Sequence, residues 1–156
     1  MRLWRICRAR YAAEAYSGEG ARLYGGRWNS KGLPVIYSST SLALAVVETF
    51  VNLEPKLLPD DLVSIQAELP DTVPAECLEA KALPAHWYKA RGEALRHFGD
   101  EWIRAQKTAA LYVPSAAIRG DWNVLLNPAH ADFRKLKAQK PLPFEFDLRM
   151  FRSREP

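Results

Sequence analysis

The sequence predicts a single mixed α+β domain. Short β-type runs recur along the chain, two longer helical stretches lie between them, and no linker, repeat or low-complexity segment divides the 156 residues. That length suffices to bury a real core. Residues 3–7 alternate and read as a first strand. Residues 34–38, a β-branched and aromatic run, read as a second. Ser39, Thr40 or Ser41 then caps a helix reaching about Leu53 and ended before Pro55. Residues 62–69 alternate cleanly, with Val63, Ile65, Ala67 and Leu69 on one face, and Pro70 closes the strand. Residues 72–88 contain Pro74 and Pro84 and are expected to wrap the core. Residues 89–107 read as helix, with a break allowed near Gly99. A strand follows at 109–113, then a short apolar run at 123–126, with a turn at Asn127-Pro128 and then a helical turn. Residues 144–151 place Phe144, Phe146, Leu148 and Met150 on one face and predict a final strand.

Composition narrows the function classes. Hydrophobic residues make up 48% and charged residues 26%, as in an ordinary soluble protein. No apolar run is long enough to cross a bilayer, and the arginine-interrupted N-terminus lacks a signal-peptide core. Cys7 and Cys77 suit a reducing cytoplasm better than a disulfide framework. His86, His97 and His130 have no metal-ligand spacing, so no metal is expected. The net charge is +4, unevenly spread: residues 1–31 carry seven Lys/Arg against two Glu, and residues 132–156 seven against four acids. If the chain ends meet, they form a basic face suited to phosphates, nucleic acid or an acidic partner.

The most informative stretch is Tyr24-Gly25-Gly26-Arg27-Trp28-Asn29-Ser30-Lys31-Gly32. Its glycines admit close backbone approach, and Arg27 offers a five-donor fork suited to a carboxylate or phosphate. A plain surface turn with a solvated arginine fits the same residues. The helix after Ser41 is apolar nearly all round, with Ser41, Glu48 and Asn52 on one narrow polar edge. That edge faces either water or a cleft; in a cleft, Glu48 would bind sugar hydroxyls and stabilise developing positive charge. Tyr37 is either core or a pocket wall for a flat heterocycle, and Ser115 is either a helix N-cap or a site residue. The phosphate-loop and dinucleotide glycine patterns are absent, as are helix-turn-helix signatures.

These segments, in this order, resemble the RES-domain family, toxins of bacterial Xre–RES toxin–antitoxin pairs. The resemblance covers residues 1–156 as one RES domain and rests on Tyr24-Gly25-Gly26-Arg27-Trp28-Asn29, the run from Gly32 to Ser38, and the helix from Leu42 to Glu48. Val113-Pro114-Ser115-Ala116 and Leu125-Leu126-Asn127-Pro128-Ala129-His130 complete it. The arginine, glutamate and serine for which the family is named match Arg27, Glu48 and Ser115. The resemblance implies a fold like that of ADP-ribosyltransferases and NAD⁺ as substrate, without metal. Glu48, Arg27, Ser115 and Tyr37 form the implied catalytic set, and Arg27, Tyr37, Trp28, Asn29, Ser38 and Asn127 the implied cofactor-binding set. Glu48 would stabilise the cation formed as the nicotinamide–ribose bond breaks, as in glycoside hydrolysis. Arg27 would clamp the diphosphate, Tyr37 stack on nicotinamide, and Ser115 position the ribose or hold its neighbours. The implied outcome is NAD⁺ depletion with water or phosphate as acceptor, or alternatively ADP-ribosylation of a protein; a non-catalytic basic binding module is the remaining alternative. An Xre-type helix-turn-helix antitoxin occluding the cleft is the implied partner, with DNA reached only through it. No membrane partner is expected, the location is cytoplasmic, and a homodimer is allowed.

Overall fold

Alternation in the first residues does form a strand, β1 (Arg2–Arg8), and it lies inside the sheet. The computed structural model describes residues 1–53, 59–89 and 93–151. In it β1 pairs antiparallel with β3 (Leu62–Glu68) along its full length, from Arg2 opposite Glu68 to Arg8 opposite Leu62. Its other neighbour is β2 (Ile36–Ser39), joined at the single register pair Trp4–Ser39. Beyond β2 come β6 (Trp122–Leu126), β5 (Ala110–Pro114) and the short edge strand β4 (Ala75–Cys77), which alone among these pairs in parallel. β7 (Lys137–Ala138) and β8 (Leu142–Pro143) close the far side of β3.

Both sheet faces are covered, and strand alternation divides the core in two. Leu125 and Val113 point towards Trp28, Trp87, Leu95 and Trp102, beneath helix α3 (Glu93–Ala105). Val124 and Leu126 point the other way, to Leu3, Ile36 and Ala110. Helix α1 (Glu19–Tyr24) leads into the glycine loop. Helix α2 (Leu42–Phe50) packs over β1 and β2 and buries Leu44 and Ala45. Of the three candidate caps, Ser41 does the work: its side chain accepts the Leu44 N–H at 3.1 Å. The helix ends at Phe50, short of the expected Leu53; the proposed stop at Pro55 and residues 90–92 of the expected second helix lie outside the described residues.

One expected element is absent. No strand forms over 144–151: after the Phe144 N–H donates to the Leu62 carbonyl at 2.9 Å, the chain turns inwards. β1 already flanks β3 on one side, and β7 and β8 flank it on the other, so β3 has no open edge left to receive another strand. Phe146 instead packs on Phe50 and Phe144, and residues Leu148–Phe151 form a 3-10 turn. The alternation there reflects an aromatic cluster, not a pleat.

Gly99 does not break α3. A Cβ at this position would overlap the Trp28 carbonyl oxygen and come within 2.9 Å of its carbon, so the helix backbone lies directly against the glycine loop. Gly99→Ala is therefore expected to lower unfolding free energy by about 1–3 kcal/mol through overpacking, outweighing the ~1 kcal/mol that alanine offers a helix. Urea denaturation measures it; an unchanged or raised midpoint would mean that loop and helix are not in contact.

Candidate active site

Glu48 is carried on the sheetward side of α2, where Ser115 and Asn123 approach from the strand ends. Ser115 follows β5 and is fully buried; its hydroxyl donates to Glu48 Oε1 at 2.7 Å. Asn123 of β6 donates its amide to the same oxygen at 2.6 Å. The Ser39 hydroxyl donates to Asn123 Oδ1 at 2.7 Å, which orients that amide towards the glutamate. The Ser115 hydroxyl also accepts the Ile118 N–H at 2.9 Å, so its capping and site roles coexist. Both side-chain bonds fall on Oε1, and Oε2 accepts none among the described residues. The predicted polar edge faces a cleft at Glu48, while Asn52 turns its amide back to the Glu48 carbonyl at 2.8 Å.

A cavity of about 360 Å³ opens beside Glu48, lined by Trp4, Ile6, Tyr37, Ser39, Thr49 and Asn123 among others. It exists because β1 and β2 part after their single register pair, leaving a fork under α2. The volume suits part of a small-molecule ligand.

The glycine loop is tied down by a buried knot. The Tyr37 hydroxyl accepts the Trp28 N–H at 3.0 Å and donates to Asn29 Oδ1 at 2.8 Å. Burial pushes the Tyr37 phenol well above its ordinary range, so it stays a neutral donor. A Cβ on Gly26 would collide with this hydroxyl, which is why the loop needs glycine there. Asn29 Nδ2 lies within hydrogen-bond distance of the carbonyls of Ala21, Ser30 and Leu33. α3 holds the loop from outside, through the Asp100 carboxylate on the Ser30 N–H at 2.8 Å and Arg96 on the Gly26 carbonyl at 3.1 Å.

The structure thus separates the sequence-selected residues. Glu48 and Ser115 meet, and Tyr37 lines the cavity. Arg27 points its guanidinium at the Trp87 carbonyl, 3.4 Å away, on the loop side of Tyr37. Trp28, Asn29 and Asn127 were expected to touch the cofactor, but all three are buried. Trp28 packs against Trp87, the Asn29 side chain is engaged within the knot, and Asn127 bonds Ile103 and Ala129 backbone at 3.0 Å. None of the three lines the cavity beside Glu48.

Two contributors were missed. Asn123 was read only as part of an apolar run, although its alternation with Val124 puts it on the Glu48 side. Arg5 sits on β1 between Leu3 and Cys7 and reaches the Tyr37 carbonyl with Nη1 at 2.8 Å, across the fork. Its Nε is buried without a hydrogen-bond partner among the described residues, as is the Ser38 hydroxyl. Burial lowers the Arg5 pKa, and no carboxylate pairs with it among those residues. An arginine on the same strand face as Leu3 was the signal available in the sequence.

Comparison with known proteins places the chain. The RES domain family model matches residues 2–147. The "Prs ADP-ribosylating toxin" of Sphingobium sp. (strain YBL2) is 40% identical over 154 residues, covering 96% of each chain. "Toxin Res" of Yersinia enterocolitica is 36% identical over 152 residues, 96% of this chain and 99% of that one. The crystal structure of the M. tuberculosis MbcT–MbcA toxin–antitoxin complex contains a chain with the same fold, at TM-score 0.70 and 19% identity, covering 90% of this chain and 82% of that one.

Arg5 offers a stability test. A buried, unpaired guanidinium costs desolvation that one backbone bond does not repay. Arg5→Met should leave unfolding free energy unchanged or raise it by about 1 kcal/mol, read by chemical denaturation. A loss above ~2 kcal/mol would show that the guanidinium holds the fold rather than awaiting a ligand.

Proposed function

The chain belongs to the RES-domain family, and from that premise we propose that it is a toxin that cleaves the nicotinamide–ribose bond of NAD⁺ at Glu48. The observation that carries this reading is the carboxylate held through one oxygen by Ser115 and Asn123, with no hydrogen bond to the other oxygen among the described residues, beside a cavity. Such a carboxylate is preorganised to accept ribose hydroxyls and to stabilise positive charge developing at the anomeric carbon. The C–N bond breaks with its electron pair going to the nicotinamide nitrogen, which leaves neutral and needs no general acid. Water then adds to the cation and releases a proton, giving ADP-ribose; phosphate gives the corresponding glycosyl phosphate.

Around that step the remaining residues take supporting roles. Tyr37 walls the nicotinamide side, and Arg5 and Ser38 border the fork from the opposite sheet face. Arg27 faces the diphosphate, with Trp28 and Asn29 fixing its loop. Among the described residues Glu48 is the only carboxylate lining the cavity, so it serves both the cation and the incoming acceptor. No group of His, Cys, Asp or Glu suited to a metal ion occurs among those residues, and no step requires one.

A second reading shares the bond cleavage but transfers ADP-ribose to a protein. The name of the Sphingobium relative, "Prs ADP-ribosylating toxin", favours it. The partner that fits either reading is an antitoxin of the Xre helix-turn-helix type that covers the cleft, with DNA contacted through it. A toxin–antitoxin pair is the context of the structural neighbour.

Purified protein, freed of any antitoxin, should release nicotinamide from NAD⁺, and Glu48→Ala should reduce the rate by at least about two orders of magnitude. Asn123→Ala should lower kcat about tenfold with KM little changed, because it only orients the carboxylate. Labelled NAD⁺ then separates the acceptors: label on a protein band marks transfer, and label in free ADP-ribose or its phosphate marks degradation. Absence of nicotinamide release with water, phosphate and protein acceptors alike would overturn the proposal.

A further inference from the structure

One surface cluster outside the cavity's lining residues has no task in the chemistry above. His86 adopts a left-handed backbone, φ 57°, in a turn closed by the Trp87 N–H on the Pro84 carbonyl and the Lys89 N–H on the His86 carbonyl. A non-glycine residue in this region is unfavourable unless its surroundings enforce it. The result is that Trp87 enters the core against Trp28 while Tyr88, the next residue, stands half-exposed. Two cations converge on its ring: the Arg119 guanidinium carbon lies 5.3 Å from the ring centroid and Lys89 Nζ 6.0 Å. Neither forms an ion pair among the described residues. Arg119 comes from the 115–121 loop, whose base is the Ser115 that holds Glu48, and whose ends are joined by the Ser115 N–H on the Asp121 carbonyl at 2.9 Å.

A continuous chain of contacts and chain segments therefore leads from the Glu48 carboxylate to Arg27. It runs from Glu48 to Ser115, along the loop to Arg119, onto the Tyr88 ring, and through the Trp87 carbonyl to Arg27. A part-exposed aromatic ring and a planar guanidinium both stack on a purine, and Lys89, in no ion pair among the described residues, adds a second positive charge that favours a nearby phosphate. We propose that Tyr88 and Arg119, aided by Lys89, form the subsite for the adenylate half of the dinucleotide. This rests on the reading of NAD⁺ as substrate and assigns the end of the molecule farthest from the bond that breaks.

Nicotinamide mononucleotide carries the same scissile bond but lacks the adenylate, and so discriminates. Tyr88→Ala and Arg119→Ala should each raise KM for NAD⁺ about tenfold, leave kcat within about twofold, and leave KM for the mononucleotide unchanged. Tyr88→Phe, which keeps the ring, should behave as wild type. Calorimetry with AMP provides a reading independent of turnover: wild type should bind it, and both alanine variants should bind at least about tenfold more weakly. An unchanged NAD⁺ KM in both variants, an equal effect on the mononucleotide, or undiminished AMP binding would overturn the subsite. Wild type that binds AMP in this way yet cleaves neither nucleotide would instead sink the catalytic proposal and leave the subsite standing.

Discussion

A single carboxylate oxygen joins the parts of this cleft. Glu48 Oε1 accepts from Ser115 after β5 and from Asn123 on β6, while Ser39 at the end of β2 orients the second donor. Helix α2 is thereby docked on three strand ends through one atom, although its own sequence is almost wholly apolar. The arrangement resolves a physical conflict. A carboxylate on an apolar helix must either reach water or be met by donors, since an unmet buried charge is costly. Here two neutral donors meet one oxygen, and the other is left to the cavity. Neutral partners matter, because a lysine or arginine in their place would cancel the negative charge that the chemistry uses.

The second constraint is a backbone that approaches too closely for any side chain. The glycine loop is squeezed between the Tyr37 hydroxyl on one side, where Gly26 leaves room, and α3 on the other, where Gly99 does. Buried Asn29 supplies hydrogen bonds that this irregular segment cannot find in a ladder. Loops that must place a functional side chain are usually mobile. This one is pinned from the sheet by Tyr37 and from the helix by Arg96 and Asp100, so Arg27 is presented from a fixed base.

Much of this was legible in the sequence, and for identifiable reasons. The strands at β1, β2, β3 and β5 showed through alternation or β-branched composition, while β6 showed only as a short apolar run. Glu48 stood out because it was the one charge in its helix, and Ser115 because it closed a strand. Residues 144–151 misled because alternation reports which side chains are buried, not whether a neighbouring strand has an open edge. For Asn29 and Asn127 the sequence did not show burial: both side chains bond to backbone, and their sequence neighbours do not reveal it. Asn123 and the Tyr88–Arg119 contact depend on pairs 75 and 31 residues apart, and no local pattern encodes such pairs.

Arg5 shows how fold and site are coupled. Strands β1 and β2 could have continued their ladder past Trp4 and Ser39, which would have satisfied the Tyr37 carbonyl with a backbone N–H. Instead the strands part, and a side chain from β1 supplies the missing donor. That exchange replaces an inexpensive backbone bond by a buried guanidinium, whose Nε lacks a partner among the described residues. Stability alone would favour closing the fork and substituting an apolar residue. The fork is nevertheless what makes the cavity beside Glu48, since a continued ladder would fill the space between the strands. In the proposed function, the open fork and the carboxylate oxygen that accepts no hydrogen bond among the described residues are what a bound substrate would complete.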